Sequence, residues 1–305
     1  MLEFENLKEL MIRLSDEKVC RAYMEQMRWN GSPFCPHCNS TNPYKLKDGK
    51  TYRCSSKGCR KDFTVTVGTV FENSKIPLST WLASSFVLSA HKKGISSLQL
   101  SRDLGITQKT AWFVLHRLRY VMDETDPEPL ENVVEVDETY VGGKFVNMNR
   151  ARRKKWQERG VDNKEPVMGL LQRDGKAKLT VIGKNTFKEV VRKNVNKDAT
   201  IVTDAHLGYQ GLNLEYAGHE TVNHSIQEYK RGIYYTNSVE GFFSLFKRTV
   251  FGTYHQISPK HLHRYCVESS YRFNTRKIKD KERFVHAISN IEGRLKYKTL
   301  IQKKD

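Results

Sequence analysis

Residues 132–141 read NVVEVDETYV and predict a β-strand, because β-branched residues alternate with polar ones along the run. This alternation places Glu135, Asp137 and Thr139 on one face of the strand and Glu138 on the other. Acids inside an apolar run of this kind are costly to bury alone. The run therefore indicates a site in which a carboxylate has a positively charged partner.

Two further acids have similar settings. Residues 200–203 (TIVT) predict a buried strand that ends at Asp204. Residues 237–248 (NSVEGFFSLFKR) predict an amphipathic helix that carries Glu240 early and Lys247 two turns later, on the same side. Three converging acids would hold a divalent metal ion, and the lysine would bind a phosphate.

Magnesium suits such a site, since it prefers oxygen ligands and is usually held by few carboxylates together with substrate phosphates. Two ions can activate an attacking oxygen and stabilise a leaving one, as phosphodiester chemistry requires. Single acids at strand ends are more often solvated or capping, so alternatives stay open. The competitors are Glu135 and Glu138 for the role of Asp137, and Asn237 and His224 for the role of Glu240.

The elements around these acids indicate the fold. Strands are predicted at residues 167–172 and 179–183, and a helix at residues 187–194. The order strand, strand, strand, helix, strand, helix fits a mixed α/β sheet of the ribonuclease H kind, which we expect over residues 130–280.

Charge indicates the class of partner. The 305 residues carry a net charge of +18, and 38% are hydrophobic, so a packed basic protein is expected. Such an excess favours a polyanionic partner, most often nucleic acid. The alternatives are a basic protein that binds anionic lipid and one whose charge only keeps it soluble. The chain has no apolar run of roughly 18–20 residues and its N-terminus lacks a signal-peptide pattern. We expect a cytoplasmic protein that makes no membrane contact and associates with the nucleoid when bound to DNA.

Residues 31–72 predict a zinc ribbon. Two pairs of cysteines, each able to form a small knuckle, are separated by a 15-residue gap: Cys35, Cys38, Cys54 and Cys59. Four thiolates complete a tetrahedral shell with no open position, so the zinc is expected to be structural. His37 lies between ligands and is interpreted as a bystander.

Residues 77–125 predict a helix-turn-helix. Residues 96–104 form a short helix, residues 105–107 turn the chain, and residues 108–119 begin a longer helix with an apolar stripe. Gln108, Lys109 and Thr110 occupy its first turn, where a recognition helix meets base edges, and Phe113, His116 and Arg117 are expected to extend the outer face. The alternative is a plain helical pair in a bundle.

The remaining segments are simpler. Residues 1–30 predict a helical segment, with Asp16 near the N-cap of a second helix that runs to Trp29, and residues 281–305 predict a basic helical tail. A basic stretch after the first acidic strand includes Arg152 and Arg153, which would either contact DNA or lie on a solvated loop.

Taken together, several motifs resemble the bacterial insertion-sequence transposases of the IS1595 type, which pair a zinc ribbon with a DDE (integrase-like) domain. They are VDETYVGGK at 136–144, TDAHLGY at 203–209, VNHS at 222–225, TNSVEGFFSLFKR at 236–248, GTYH at 252–255, KHL at 260–262, RY at 264–265 and RFN at 272–274. The resemblance covers the ribbon and nearly everything after residue 77.

The resemblance implies a multidomain α+β protein in which the zinc ribbon and helix-turn-helix precede a ribonuclease H-like mixed α/β domain. It implies a transposase that uses Mg²⁺ (or Mn²⁺). Water would cut at the transposon end to release a 3′ hydroxyl, which would then attack target DNA. Asp137 and Asp204 match the first two acids of the motif. The family varies between Glu, Asn and His at the third position, and the lysine at Lys247 favours Glu240.

Two other functions share the same fold: a DNA-binding regulator with an inactive domain, and a metal-dependent nuclease that hydrolyses DNA without joining strands. The presence of Asp137, Asp204 and Glu240 argues against a regulator with an inactive domain. Handling transposon ends and target together favours a homo-oligomer.

Overall fold

The computed structural model describes residues 3–123, 127–143, 149–151, 153–154, 164–183, 186–222 and 230–302. In those ranges the helices are α1 (Leu7–Arg13), α2 (Glu17–Trp29), α3 (Leu78–Ala90), α4 (Ser97–Leu104), α5 (Gln108–Val121), α6 (Phe187–Asn194), α7 (Asn237–Thr249), α8 (Leu262–Asn274), α9 (Asp280–Ser289) and α10 (Tyr297–Ile301). The strands are β1 (Pro43–Lys45), β2 (Tyr52–Cys54), β3 (Asp62–Phe63), β4 (Val133–Val141), β5 (Glu165–Gln172), β6 (Ala177–Val181), β7 (Thr200–Asp204) and β8 (Gly218–Val222).

The chain divides into two compact units. The first combines Met1–Met122 with Lys277–Asp305, and the second is Asp123–Arg276. Residues 281–305, expected as a basic tail, therefore belong to the first unit, where the Phe284 ring of α9 packs against the rings of Phe4 and Phe86. Burial of these aromatic rings stabilises the joining of the two chain ends.

The first unit begins with helices where the sequence predicts them. The Asp16 carboxylate caps α2 by accepting hydrogen bonds from the backbone N–H groups of Lys18 and Val19, and the helix ends at Trp29. The Trp29 ring packs edge-on against Tyr52 of β2, with ring centres 5.1 Å apart. β1, β2 and β3 form an antiparallel sheet in that order, and Cys54 is the last residue of β2.

Helices α4 and α5 confirm the predicted helical pair. Ser96 caps α4, Gly105 ends it in the left-handed region at φ 64°, and Thr107 caps α5. The predicted apolar stripe is buried: Ala111, Val114, Leu115 and Leu118.

The prediction that His116 and Arg117 extend an outer face of α5 is wrong. Their exposed fractions are 0% and 4%. The Arg117 guanidinium donates to the backbone carbonyls of Val70 and Leu295, the latter at 3.0 Å, so the C-terminal segment covers this face. Helical periodicity describes one helix at a time and does not report such a distant covering segment.

The second unit contains a five-stranded sheet in the order β6-β5-β4-β7-β8. β6, β5 and β4 are antiparallel neighbours, whereas β4, β7 and β8 run parallel. Strands β4, β5, β6 and β7 and helix α6 occur close to where the sequence predicts them. β8 was not predicted, because its residues (GHETV) are mostly polar and lack an apolar run.

Helices cover both faces of this sheet. On one face, α6 packs Val190 and Val191 against strand residues that include Val136 and Ile201. On the other face, the aromatic side of α7 and residues of α8 pack against β5 and β6. Within the described residues, no helix is both long and apolar enough to cross a lipid bilayer.

Candidate functional site

Sheet register brings the first two acids together. β4 and β7 are parallel neighbours with Glu135 opposite Val202, and the same offset along both strands places Asp204 beside Asp137. Carboxylate oxygens of Asp137, Glu138 and Asp204 lie within 4.8 Å of one another. Asp137 and Asp204 therefore lie close together, and three hard oxygen donors at this spacing fit a divalent cation such as Mg²⁺.

Glu138 is the member of this group that the sequence offered only as a competitor. It pairs with Met168 across the antiparallel β4–β5 ladder, so it starts from the face opposite Asp137, as predicted. Its Oε2 accepts a 2.8 Å hydrogen bond from the hydroxyl of Tyr209, which is buried. Burial raises the pKa of Glu138, and the Tyr209 hydrogen bond opposes that rise. In the sequence, its position directly beside Asp137 was the feature that could have indicated that Glu138 belongs to this group.

Burial and negative neighbours act on Asp137. Its pKa is raised from 3.8 to about 7, first by burial and then by the negative charges of Glu138, Asp204 and Glu240. The backbone N–H of Glu138 donates to its Oδ1 at 2.8 Å and acts in the opposite direction. The raised pKa means that the charged form of this carboxyl is disfavoured, and a cation beside it would stabilise that form.

The third predicted acid lies on a different element. Glu240 is exposed near the start of α7, and its charge contributes to the raised pKa of Asp137, but it is not one of the three clustered carboxylates. Lys247 is exposed two turns further along α7. Of the competitors, Asn237 is the exposed first residue of α7, and His224 lies outside the described residues.

A glycine allows α7 to approach the sheet opposite Asp137. Gly169 of β5 pairs with Asp137. A Cβ at Gly169 would lie 2.6 Å from Cε1 of Phe243 and 2.8 Å from Cγ2 of Val239, so a side chain here would force the helix outward. The close approach holds the helix that carries Glu240 against the strand that carries Asp137.

Glu135 is not part of the carboxylate group. Its side chain is fully buried and forms an ion pair with Arg173, 2.9 Å from Oε1 to Nε. This pairing explains how an acid is accommodated inside the apolar run.

The four predicted cysteines meet in the first unit. The Sγ atoms of Cys35, Cys38, Cys54 and Cys59 form one group, with 3.8 Å between Cys35 and Cys59 and 3.5 Å between Cys38 and Cys54. Tetrahedral zinc with bonds of about 2.3 Å separates its sulfurs by roughly 3.8 Å, so the spacing fits a closed structural zinc site. His37 is exposed and outside the group, as predicted.

The first turn of α5 presents polar side chains. Gln108 and Lys109 are exposed, and the Thr107 hydroxyl accepts from the backbone N–H of Thr110. The Lys109 ammonium lies 5.2 Å from the ring centre of Tyr297, at the start of α10. In the basic stretch, Arg153 is partly exposed, and Arg152 lies outside the described residues.

Comparison with known proteins finds matches for the segment with the carboxylate group and for the segment with the four cysteines. Residues 129–274 match the family described as the ISXO2-like transposase domain, and residues 15–62 match the transposase zinc-ribbon domain. The chain is also 27% identical over 245 residues to an uncharacterized protein in transposable element ISH50 of Halobacterium salinarum. That alignment covers 76% of this chain and 82% of the relative.

Proposed function

We propose that this chain, which belongs to the insertion-sequence transposases of the IS1595 type, cuts DNA at transposon ends with a divalent metal ion and transfers the cut strand into target DNA. The observation that carries the proposal is the approach of three carboxylates to within 4.8 Å in a chain of net charge +18. An acidic cluster in a cationic protein attracts a metal ion and a nucleic-acid backbone to one place.

Asp137 and Asp204 would hold Mg²⁺ or Mn²⁺, and Glu240 on α7 is the third acid that the family resemblance favours. When bound, the cation supplies Lewis-acid activation and neutralises charge at the phosphodiester. Lys247 would bind a phosphate near the terminus of the DNA. The sheet order, with helices on both faces, supports a ribonuclease H-like fold for this unit.

DNA recognition would use the first unit. The capped pair α4 and α5 supports a helix-turn-helix in which Gln108, Lys109 and Thr110 reach base edges. Arg152 and Arg153 are proposed to contact the DNA backbone. We further propose a homo-oligomer that works in the cytoplasm and joins the nucleoid when bound to DNA, because two ends and a target must be handled together.

A strand-transfer assay tests the proposal. Labelled transposon-end DNA is incubated with target plasmid and Mg²⁺, and the products of wild type, Asp204→Asn and Asp198→Asn are compared. Asp204→Asn should bind the ends normally and give no cleavage, since its charge no longer holds the cation. Asp198→Asn is the matched control, because Asp198 is exposed and precedes the same strand outside the carboxylate group.

The products separate the three functions. Joined strands from wild type and the control support the proposal. Hydrolysis without joining identifies a nuclease, and end binding without cleavage identifies a regulator with an inactive domain. Full activity of Asp204→Asn would remove that residue from the site.

A further inference from the structure

One buried glutamate joins the acidic strand to the helix of the third acid. The Glu135 side chain of β4 is fully buried. Its Oε2 accepts two backbone hydrogen bonds from the first turn of α7, from Ser238 N–H at 2.9 Å and from Val239 N–H at 3.1 Å. The N-cap residue of α7, Thr236, contributes no side-chain cap to the helix. A carboxylate from a different strand therefore occupies the place of an N-cap, where its negative charge also suits the helix dipole.

Arg173 completes the connection. Its Nε donates to Oε1 of Glu135 at 2.9 Å. Its two other donor nitrogens reach the backbone carbonyls of Ile233, at 2.7 Å, and Tyr235, at 3.2 Å. The guanidinium also lies 3.9 Å from the ring centre of Tyr235. One arginine thus binds the glutamate and the segment that leads into α7, using the planar fork that lysine lacks.

The position of this pair matters for the carboxylate site. Glu135 precedes Asp137 by two residues on β4, so both point to the face that α7 covers. Val239, which donates to Glu135, directly precedes Glu240. A shift of the first turn of α7 would therefore change the separation of Glu240 from Asp137.

We propose that Glu135 and Arg173 are positioning residues that hold α7 at the distance where Glu240 and Asp137 act on the same cation. The pair does not bind the cation itself. The inference rests on the proposed function, since it assumes that a divalent cation occupies the carboxylate site. Outer-shell partners of this kind change metal affinity about 10–100-fold when they are removed.

Mn²⁺ binding provides the test, because free Mn²⁺ gives a paramagnetic resonance signal that bound Mn²⁺ loses. Full-length zinc-loaded protein is titrated with Mn²⁺ alone, without DNA. Glu135→Gln is expected to weaken binding at least about tenfold relative to wild type. The amide retains one acceptor oxygen, but it cannot serve the arginine and both helix N–H groups together.

The chain offers a matched control in the same unit. Glu268 of α8 is also buried, pairs with Arg272 and accepts a hydrogen bond from the Tyr254 hydroxyl. Glu268→Gln removes the same charge from a buried ion pair, in this case with Arg272 of the same helix. Both variants should lower the melting temperature of the zinc-loaded protein measured without Mn²⁺, whereas only Glu135→Gln should lower Mn²⁺ affinity.

The outcomes are distinct. Wild-type Mn²⁺ affinity in Glu135→Gln overturns the inference, and so does an equal loss in Glu268→Gln. Absence of Mn²⁺ binding by wild type instead refutes the metal-dependent function. If Glu135→Gln does not fold, Arg173→Lys replaces it, because lysine keeps the charge but cannot bridge the glutamate and both carbonyls. A folded Arg173→Lys with wild-type affinity also overturns the inference.

Discussion

Replacing Asp137 with asparagine should stabilise the metal-free protein, although the same change should abolish catalysis. Burial, followed by the negative charges of its neighbours, raises the pKa of Asp137 from 3.8 to about 7. The folded protein therefore holds this proton up to about pH 7, whereas the unfolded chain releases it near pH 4. Between these values the unfolded state binds fewer protons, so the contribution of Asp137 to the free energy of unfolding falls as pH rises.

The two pKa values set the magnitude. They correspond to a destabilisation of about 2 kcal/mol at pH 5 and about 4 kcal/mol at pH 8. Asparagine has nearly the same shape, carries no charge, and its side-chain oxygen can still accept the N–H of Glu138. The variant should therefore be more stable than wild type without added Mg²⁺, and its advantage should grow from pH 5 to pH 8.

Calorimetric unfolding of the zinc-loaded protein at both pH values, without added Mg²⁺, measures this difference. Mg²⁺ should stabilise wild type at pH 8, by about 2.7 kcal/mol at a hundredfold excess over its dissociation constant, and should leave Asp137→Asn nearly unchanged. Asp198→Asn, which removes an exposed charge, should unfold like wild type. A variant less stable than wild type at pH 8, or an advantage that does not grow with pH, would refute the reasoning.

Four further predictions concern other parts of the chain. Cys54→Ser should lose its zinc, as measured by metal analysis of the purified protein, because the group of four thiolates would lose one donor; unchanged zinc content would exclude Cys54 as a ligand. Lys109→Ala should lower the slope of log affinity against log salt for end DNA by about 0.9 if this exposed lysine meets one phosphate, and an unchanged slope would place it off the DNA. Gly169→Ala should lower the free energy of unfolding by about 1–3 kcal/mol, because its Cβ would lie 2.6 Å from the Phe243 ring; wild-type stability would contradict that close approach. Arg117→Lys should cost about 1–3 kcal/mol in urea unfolding, since lysine cannot replace all of the buried bonds to carbonyls, and a neutral effect would argue against their importance.

The sequence predicted the local elements of this protein well. Alternation identified β4, the apolar run identified β7, and capping residues marked the starts of α2 and α5. These features depend on neighbours within a few residues, so a single sequence contains them. The cysteine spacing likewise identified the zinc ribbon, because each knuckle is a local structure.

Other features required contacts between distant segments. Polar β8 becomes a strand because it pairs with β7, and its own residues gave little sign of it. His116 and Arg117 occupy helical positions that look exposed, yet the segment near Leu295 covers them. Periodicity along one element cannot report what packs on it from elsewhere.

The carboxylate site divides in the same way. The sequence by itself determined that Asp137 lies within a strand, that Asp204 ends one, and that Glu240 lies early in a helix on the same side as Lys247, because β-branched runs and amphipathic spacing are local patterns. Only the tertiary structure decided that Glu138 joins the first two acids and that Glu135 instead caps α7 and pairs with Arg173. Strand register and the approach of α7 at Gly169 assign those roles, and both are set by packing between segments that lie far apart in the chain.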